Sequence, residues 1–151
     1  MRRKEKEITG RQDIEAVIRN ARVCRLAMVD GAAPYLVPLC FGYAQNTLFF
    51  HCAKEGRKLD VLKRNNRVCF EFDAVTEVRP GKKACDWGIA YQSVVGFGQA
   101  FFIEDRDAKR KALDVIMAQY ATGSFDYTDA AVDGITVIRV DIAGMTGKES
   151  T

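Results

Sequence analysis

The chain has 151 residues, of which 48% are hydrophobic and 28% are charged, and its formal net charge is +3. This composition predicts one globular domain and excludes disordered and collagen-like chains. No apolar stretch approaches the roughly 20 residues that a membrane-spanning helix needs. No hydrophobic segment follows the basic start of the chain, so we expect no secretory signal and a cytoplasmic location.

The first half of the chain predicts one helix and three strands. Thr9–Gln12 has the spacing of a capping box, and apolar residues at helical intervals follow it as far as Ala21. Short apolar runs bounded by turn residues then predict strands at 23–30, 34–43 and 47–53.

The second half predicts a short helix at 56–64 and a strand at 67–73, in which Val68, Phe70 and Phe72 share one face. A glycine-punctuated strand follows at 91–104, bending as in a barrel. Further along the chain we predict a helix capped by Asp105, a polar loop at 122–129 and a last strand at 135–142.

These elements predict an α+β fold, with an antiparallel barrel of six or seven strands and peripheral helices, because the short hairpins exclude a parallel sheet. No repeat or linker divides the chain, so residues 1–151 form one expected domain, with a basic N-terminal tail at 1–8 and a C-terminal tail at 143–151.

The cysteines predict neither a disulfide framework nor a metal site. There are five of them, at positions 24, 40, 52, 69 and 85, and the chain has one histidine. The odd count, the lack of a Cys-x-x-Cys pair and the scarcity of histidine indicate reduced, buried thiols.

Positive charge is concentrated between Lys54 and Arg67, where six basic residues accompany two acidic ones. Gly56 opens the predicted helix there, and Arg57 and Lys58 occupy its first turn, where a cation is unfavourable unless an anion lies nearby. A phosphate would receive backbone N–H groups and both side chains at this turn. A solvated basic helix is the alternative interpretation.

Three further residues allow more than one interpretation. Pro38 lies inside a predicted strand, which indicates an edge or bulge whose backbone is free for a ligand, or a simple edge strand. His51 is either a packing residue or a catalyst. Trp87 could belong to the core, to an interface or to an aromatic wall beside a planar ligand.

An ordered set of motifs resembles the pyridoxamine-phosphate-oxidase-like FMN-binding split barrels, especially the nitroimidazole-reductase (Nim-type) branch. The set covers about three-quarters of the chain and comprises Cys24–Ala27, Pro34–Leu39, Phe50-His51, Glu55–Leu59, Asn66–Phe70, Cys85–Trp87 and Ser93–Gly98.

This resemblance implies a split β-barrel that forms a homodimer with two FMN molecules at the subunit interface. It implies that Arg57 and Lys58 hold the phosphate, and that Ser93 contacts the flavin. The remaining expected flavin neighbours are Val37, Pro38, Leu39, Cys40 and Phe41 along the ring, His51 and Cys52 near the ring and ribityl chain, and Trp87. We also expect Val37, Leu39, Trp87 and Phe97 to line an apolar interface.

Two departures from the vitamin B6 oxidases bear on the reaction. Those enzymes have Ser-Arg-Lys where this chain has Gly56-Arg57-Lys58, and their C-terminal residues for the substrate phosphate have no counterpart here. The expected function is therefore an FMN-dependent oxidoreductase that reduces a small electrophile such as a nitro compound. In this hypothesis His51 donates a proton and NAD(P)H binds transiently.

Two alternatives remain at this point. A non-catalytic flavin carrier or sensor would have the same fold without a dedicated substrate. A small nucleic-acid binder would use the basic segment at 54–67, but Phe70 and Phe72 are predicted on the core face, away from any bases. We therefore expect no nucleic-acid partner and no membrane partner.

Overall fold

One antiparallel sheet forms the centre of the fold in the computed structural model, which describes residues 3–150 without the side chains at positions 75 and 76. The strands are β1 (Glu7–Ile8), β2 (Cys24–Asp30), β3 (Ala33–Leu39), β4 (Gly42–Ala44), β5 (Thr47–Cys52), β6 (Arg67–Arg79), β7 (Gly88–Ile103) and β8 (Thr136–Ser150). The helices are α1 (Arg11–Asn20), α2 (Arg57–Arg64), α3 (Arg106–Ala118) and α4 (Asp129–Asp133). Within residues 3–150, no helix is both long and apolar enough to cross a membrane.

The sheet curls into a barrel that stays open between two strands adjacent in the chain. Its order is β3-β2-β6-β7-β8-β5-β4, with β1 paired to β8 beside this path. The edge strands are β3 and β4, which Cys40 and Phe41 connect. This confirms the α+β split barrel.

The described residues contain eight strands rather than six or seven, partly because the predicted strand at 34–43 is interrupted at Phe41. The Phe41 side chain is fully buried, and its N–H donates to the Tyr120 hydroxyl at 2.9 Å instead of to a neighbouring strand. The chain therefore leaves β3 and begins β4 after a break of two residues.

Alternating side chains fill the barrel. Val68, Phe70 and Phe72 of β6 point inward as predicted, and the rings of Phe41 and Phe72 lie 4.7 Å apart. Burying a side chain of this size stabilises the fold by about 1.5–3 kcal/mol. The opposite residues of β6, including Cys69 and Glu71, lie on the outer face of the sheet.

Strand β7 bends where its glycines were expected to allow it. A Cβ atom at Gly96 would lie 2.2 Å from the Phe70 ring, and one at Gly98 would lie 2.4 Å from the Asp141 carbonyl. The pairing with β8 shifts register between Phe97 and Gly98. The close approach of neighbouring groups therefore requires glycine at both positions.

The helix termini confirm one predicted cap and contradict another. Asp105 caps α3, its carboxylate accepting from the Ala108 N–H at 2.8 Å. The expected capping box at Thr9–Gln12 is wrong, because Gly10 is the N-cap residue of α1 and no side chain caps that end.

The expected C-terminal tail is a strand, and the expected N-terminal tail contains a 3-10 turn at Lys4–Lys6 followed by β1. Residues 143–150 continue β8, and Glu7 and Ile8 pair with Lys148 and Gly147. Gly147 is buried under Ile8 and Ile14, so this segment helps to close the core. The ends of the two predicted tails, at positions 1, 2 and 151, lie outside the described residues.

Candidate functional site

The first and last residues of α2 share one carboxylate. Arg57 Nε donates to Asp30 Oδ2 at 2.9 Å, and Arg64 Nη2 donates to Asp30 Oδ1 at 2.6 Å. The Arg57 guanidinium also lies over the Tyr35 ring, 4.6 Å from its centroid. Asp30 and Tyr35 belong to the β2–β3 hairpin, so hairpin and helix together form one polar cluster. We call Asp30, Tyr35, Arg57 and Arg64 the α2 cluster.

Lys58 lies beside Cys52 at the end of β5. Burial raises the pKa of the half-buried Cys52 thiol, while the neighbouring Lys58 ammonium acts to lower it. Residues 54–67 and Asp30 together contain six basic and three acidic side chains, so this end of the molecule carries an excess of positive charge. An anion bound here would meet uncompensated cations.

The N-terminus of α2 is open. Gly56 adopts φ 139°, and no side chain caps the helix. A Cβ atom at Gly56 would have no neighbour within 4 Å, so the space in front of the first turn is accessible. The N–H groups of Leu59 and Asp60 donate to the Gly56 carbonyl, which leaves those of Arg57 and Lys58 for an external acceptor.

Strand β3 presents the open edge of the sheet that the sequence led us to expect at Pro38. Pro34 and Pro38 cannot donate to a ladder, which suits an edge strand. Val37 and Leu39 pack partly against the core, whereas Pro38 and Cys40 are exposed. Phe41 is buried with its N–H occupied by Tyr120, so only its carbonyl remains for a ligand.

His51 is exposed on β5, directly before Cys52. Its position excludes the interpretation of this histidine as a core packing residue. Phe70 and Phe72 are fully buried, so neither can stack on a nucleotide base, as was expected.

The cysteines differ from expectation in their burial. Within the described residues, Cys24 is buried, while Cys40 and Cys85 are exposed and Cys52 and Cys69 are partly buried. All five are free thiols. Burial raises the pKa of the Cys24 thiol above its usual range, because the charged form would be desolvated in the core.

A broad groove of about 1070 Å³ crosses the outer face of the sheet. Its floor includes Ala27 and Cys69, and Phe97 stands in it with 61% of its surface exposed. Asn65, Arg67, Gln99 and Asp141 supply polar groups along its side. Volumes of this order are typical of small-molecule sites.

Ser93 lies in a second cavity of about 690 Å³ on the same face, lined by Arg25, Glu71, Asp73, Ile89, Tyr91 and Ser93. Arg25 donates to Glu71 Oε2 at 3.0 Å and also to Asp73. Burial raises the pKa of Glu71, and Arg25 acts in the opposite direction.

The expected site residues are thus only partly assembled. Cys52 and Lys58 meet, and Arg57 lies one residue away on the same helix. Trp87 is 57% exposed, just before β7. Within residues 3–150, no contact joins Trp87 or Ser93 to this cluster.

The sequence analysis did not identify Asp30, Tyr35 and Arg64, nor the Arg25–Glu71–Asp73 cluster. Alternation in β6 does place Glu71 and Asp73 opposite the buried phenylalanines, which was a usable signal. No local pattern indicates that Asp30 meets α2, because that contact depends on how a hairpin packs on a helix 27 residues away.

Comparison with solved structures gives matches that include one of substantial sequence identity. A "putative 5-nitroimidazole antibiotic resistance protein" from Bacteroides thetaiotaomicron is 38% identical, over 95% of this chain and 86% of that one, with a TM-score of 0.85. No curated protein matches the chain.

Other similar structures show the fold alone. The flavocytochrome Anf3 from Azotobacter vinelandii has a TM-score of 0.88 at 16% identity, over 100% of this chain and 72% of that one. The FAD and heme binding protein from Mycobacterium smegmatis has a TM-score of 0.88 at 20% identity, over 96% of this chain and 73% of that one.

The family model described as pyridoxamine 5'-phosphate oxidase matches residues 10–149, which include most of the sheet, the α2 cluster and both cavities. Together with the split barrel and the 38% identical structure, this match means that the chain belongs to the pyridoxamine 5'-phosphate oxidase family.

Proposed function

We propose that the protein binds FMN, with its phosphate at the start of α2, and reduces a small electrophile such as a nitro compound. The observation that carries the proposal is the excess of positive charge around an uncapped helix N-terminus. Arg57 and Lys58 lie in its first turn together with Asp60, and the side chains of Arg57 and Arg64 share the carboxylate of Asp30. A phosphate dianion would offset most of the positive charge that remains and accept from the first N–H groups of α2.

The described residues fit the phosphate well. Arg57 uses Nε for Asp30, so both of its terminal nitrogens are left for a bidentate contact. Lys58 adds a point charge beside Cys52. Gly56 provides open space where the serine of the vitamin B6 oxidases would stand, at the loss of one hydroxyl contact.

The flavin ring would lie along the open edge of β3, where Val37, Pro38, Leu39 and Cys40 expose backbone groups. We further propose that two copies of the chain pair through the outer sheet face, with FMN between them. Ser93 and Trp87, which do not contact the α2 cluster of their own chain, would then border the flavin bound by the partner.

When bound, FMN supplies the electrons for the reduction, and the protein supplies orientation and electrostatics. The exposed imidazole of His51 would hold a proton one residue from the Cys52–Lys58 contact and deliver it to the reduced product. A nitro compound is the favoured substrate class because the 38% identical protein is described in terms of 5-nitroimidazole resistance. NAD(P)H in the cytoplasm would serve as a transient electron donor.

The visible absorbance spectrum of the purified protein tests the cofactor, because bound flavin has a characteristic spectrum. The amount of protein-bound flavin should increase when FMN is added. Anaerobic turnover of a nitroimidazole with NADPH then tests the reaction. Flavin binding without turnover would favour the carrier or sensor, and a protein that binds no FMN when titrated contradicts the whole proposal.

A further inference from the structure

The guanidinium of Arg57 is fixed on two sides by the β2–β3 hairpin. Its Nε donates to Asp30 Oδ2 at 2.9 Å, and its Cζ lies over the Tyr35 ring, 4.6 Å from the ring centroid. Within residues 3–150 the two terminal nitrogens of Arg57 have no acceptor. The contacts therefore hold the group while leaving free the two nitrogens that bind an oxyanion in bidentate fashion.

Arg57 would not hold this position by itself. Its side chain is 60% exposed, and an exposed arginine loses rotamer entropy when it is held in one geometry. A single exposed ion pair does not fully offset that loss. An aromatic face adds a second contact that restricts the guanidinium plane as well as its position.

The hairpin is a rigid support for this contact. Asp30 is only 20% exposed, pairs with Ala33 at the end of β2 and precedes Gly31, whose φ is 63°. Tyr35 pairs with Met28 and packs against the core.

The carboxylate of Asp30 is itself held from both ends of α2. Arg64 lies seven residues after Arg57, about two helical turns, so both arginines lie on one face of the helix. Arg64 Nη2 donates to Asp30 Oδ1 at 2.6 Å, and the other carboxylate oxygen serves Arg57.

A carboxylate near a phosphate is expected to weaken anion binding by repulsion. Asp30 therefore has two opposing effects on the proposed site, repelling the anion and orienting the cation that binds it. The structure favours orientation, because Asp30 engages the one nitrogen of Arg57 that a bidentate contact through the terminal nitrogens does not need.

We infer that Asp30 and Tyr35 are positioning residues that pre-orient Arg57 for the flavin phosphate, and so set the preference of the protein for FMN over riboflavin. The inference rests on the proposed function and assigns to the β2–β3 hairpin a role in cofactor selection.

The test compares dissociation constants for FMN and riboflavin, measured by flavin fluorescence, among wild type, Asp30→Ala, Asp30→Asn and Tyr35→Leu. We expect Asp30→Ala to weaken FMN binding by about tenfold, equivalent to about 1.4 kcal/mol, and to leave riboflavin binding nearly unchanged. Tyr35→Leu should act in the same direction. Asp30→Asn keeps an oxygen that can accept from Nε, so it should retain most of the FMN affinity.

Asp60→Ala is the matched control. Asp60 is exposed on α2 and has no ion pair among residues 3–150, so this change removes the same charge from the same region without touching Arg57. It should leave FMN binding unchanged or slightly tighter, opposite to the effect of Asp30→Ala.

Three outcomes would overturn the inference. Tighter FMN binding by Asp30→Ala would make Asp30 only a repulsive charge. Equal losses for FMN and riboflavin would make its role generally structural. Equal FMN affinity in wild type and Asp30→Ala would remove any role of Asp30 in selection. A wild type that binds no FMN would remove the proposed function together with the inference.

The Arg57 Nε–H signal in NMR spectra of the flavin-free protein gives a separate measurement of how firmly the guanidinium is held. We expect this signal to be sharp in wild type and broader in Asp30→Ala.

Discussion

Lys58 and Arg57 are adjacent residues with different surroundings, and each allows a separate prediction about phosphate binding. Lys58→Ala should weaken FMN binding by about 1.5–3 kcal/mol, the usual contribution of a hydrogen bond to a charged group. Arg57→Ala should cost at least as much, because a bidentate contact is lost. Titration with FMN and with riboflavin measures both effects, and the affinity for riboflavin should be nearly the same in wild type and in both variants.

Lys63→Ala serves as the control for these variants, since Lys63 is an exposed cation on the same helix. Its removal should change FMN affinity little. If Lys63→Ala weakened FMN binding as much as Lys58→Ala, the site would act through its general field and the assignment of Lys58 would be wrong.

His51 allows a prediction about proton transfer. His51→Gln should leave FMN affinity unchanged but slow the reaction in which a nitroimidazole reoxidises the reduced flavin. The expected decrease in rate is about 10²–10⁴-fold, the usual range for a general acid. Because a general acid acts only in its protonated form, the wild-type rate should fall as pH rises, and the variant should lack that fall. Stopped-flow absorbance measures both, and equal rates in the two proteins at every pH would exclude the acid role.

At the residue scale, sequence predicted the start of α2 correctly because that feature is local. Gly56, Arg57 and Lys58 are consecutive, so their shared position at a helix start follows from the order of residues alone. Asp30 and Tyr35 could not be linked to Arg57 in this way, because the contact joins segments that only tertiary packing brings together.

At the scale of the element, the start of α2 depends on the backbone of Gly56. Its φ of 139° and ψ of 157° belong to a region that is essentially restricted to glycine. Gly56→Ala should therefore destabilise the protein by about 1–3 kcal/mol through backbone strain alone, since the added Cβ would meet no atom within 4 Å. Urea unfolding measures the change.

Gly88→Ala is the matched control for strain. A Cβ atom at Gly88 also has open space, but the backbone there is not in the positive-φ region. Its unfolding free energy should stay close to that of wild type. A similar loss in both variants would mean that removing glycine, rather than its conformation at position 56, is what matters.

The elements that sequence predicted well are those with a strong period. Alternation in β6 and helical spacing in α3 are set by which face is buried, and both were confirmed. The C-terminal half of β8 has no such period, because residues 143–150 are rich in glycine and polar side chains. Pairing with β7 and β1 makes this segment a strand despite its composition, as β propensity is strongly context-dependent.

At the scale of the whole molecule, sequence predicted an antiparallel barrel and an apolar surface that includes Phe97, but not the groove across the outer face of the sheet. A strand pattern shows which residues share a face, whereas the groove arises from side chains of β2, β6, β7 and β8 that meet only in the folded sheet. The result is a broad apolar surface that includes Val95 and Phe97, with large exposed fractions. A patch of this kind on a globular protein marks a surface that binds something.

We therefore predict that two copies of the chain associate through this face. Two-fold symmetry would give two equivalent flavin sites, each completed by residues of both copies. Phe97→Asp places a charge in the centre of the face, and since Phe97 is 61% exposed the fold itself should tolerate the change. We expect sedimentation to show a dimer for wild type at micromolar concentration and a monomer for Phe97→Asp, with FMN affinity lost along with the dimer.

Ala121→Asp, in the exposed loop after α3, introduces the same charge away from the sheet and should leave the dimer intact. A wild-type monomer that binds FMN tightly would contradict this prediction, because the outer face and the α2 cluster of one copy would then suffice to bind the flavin.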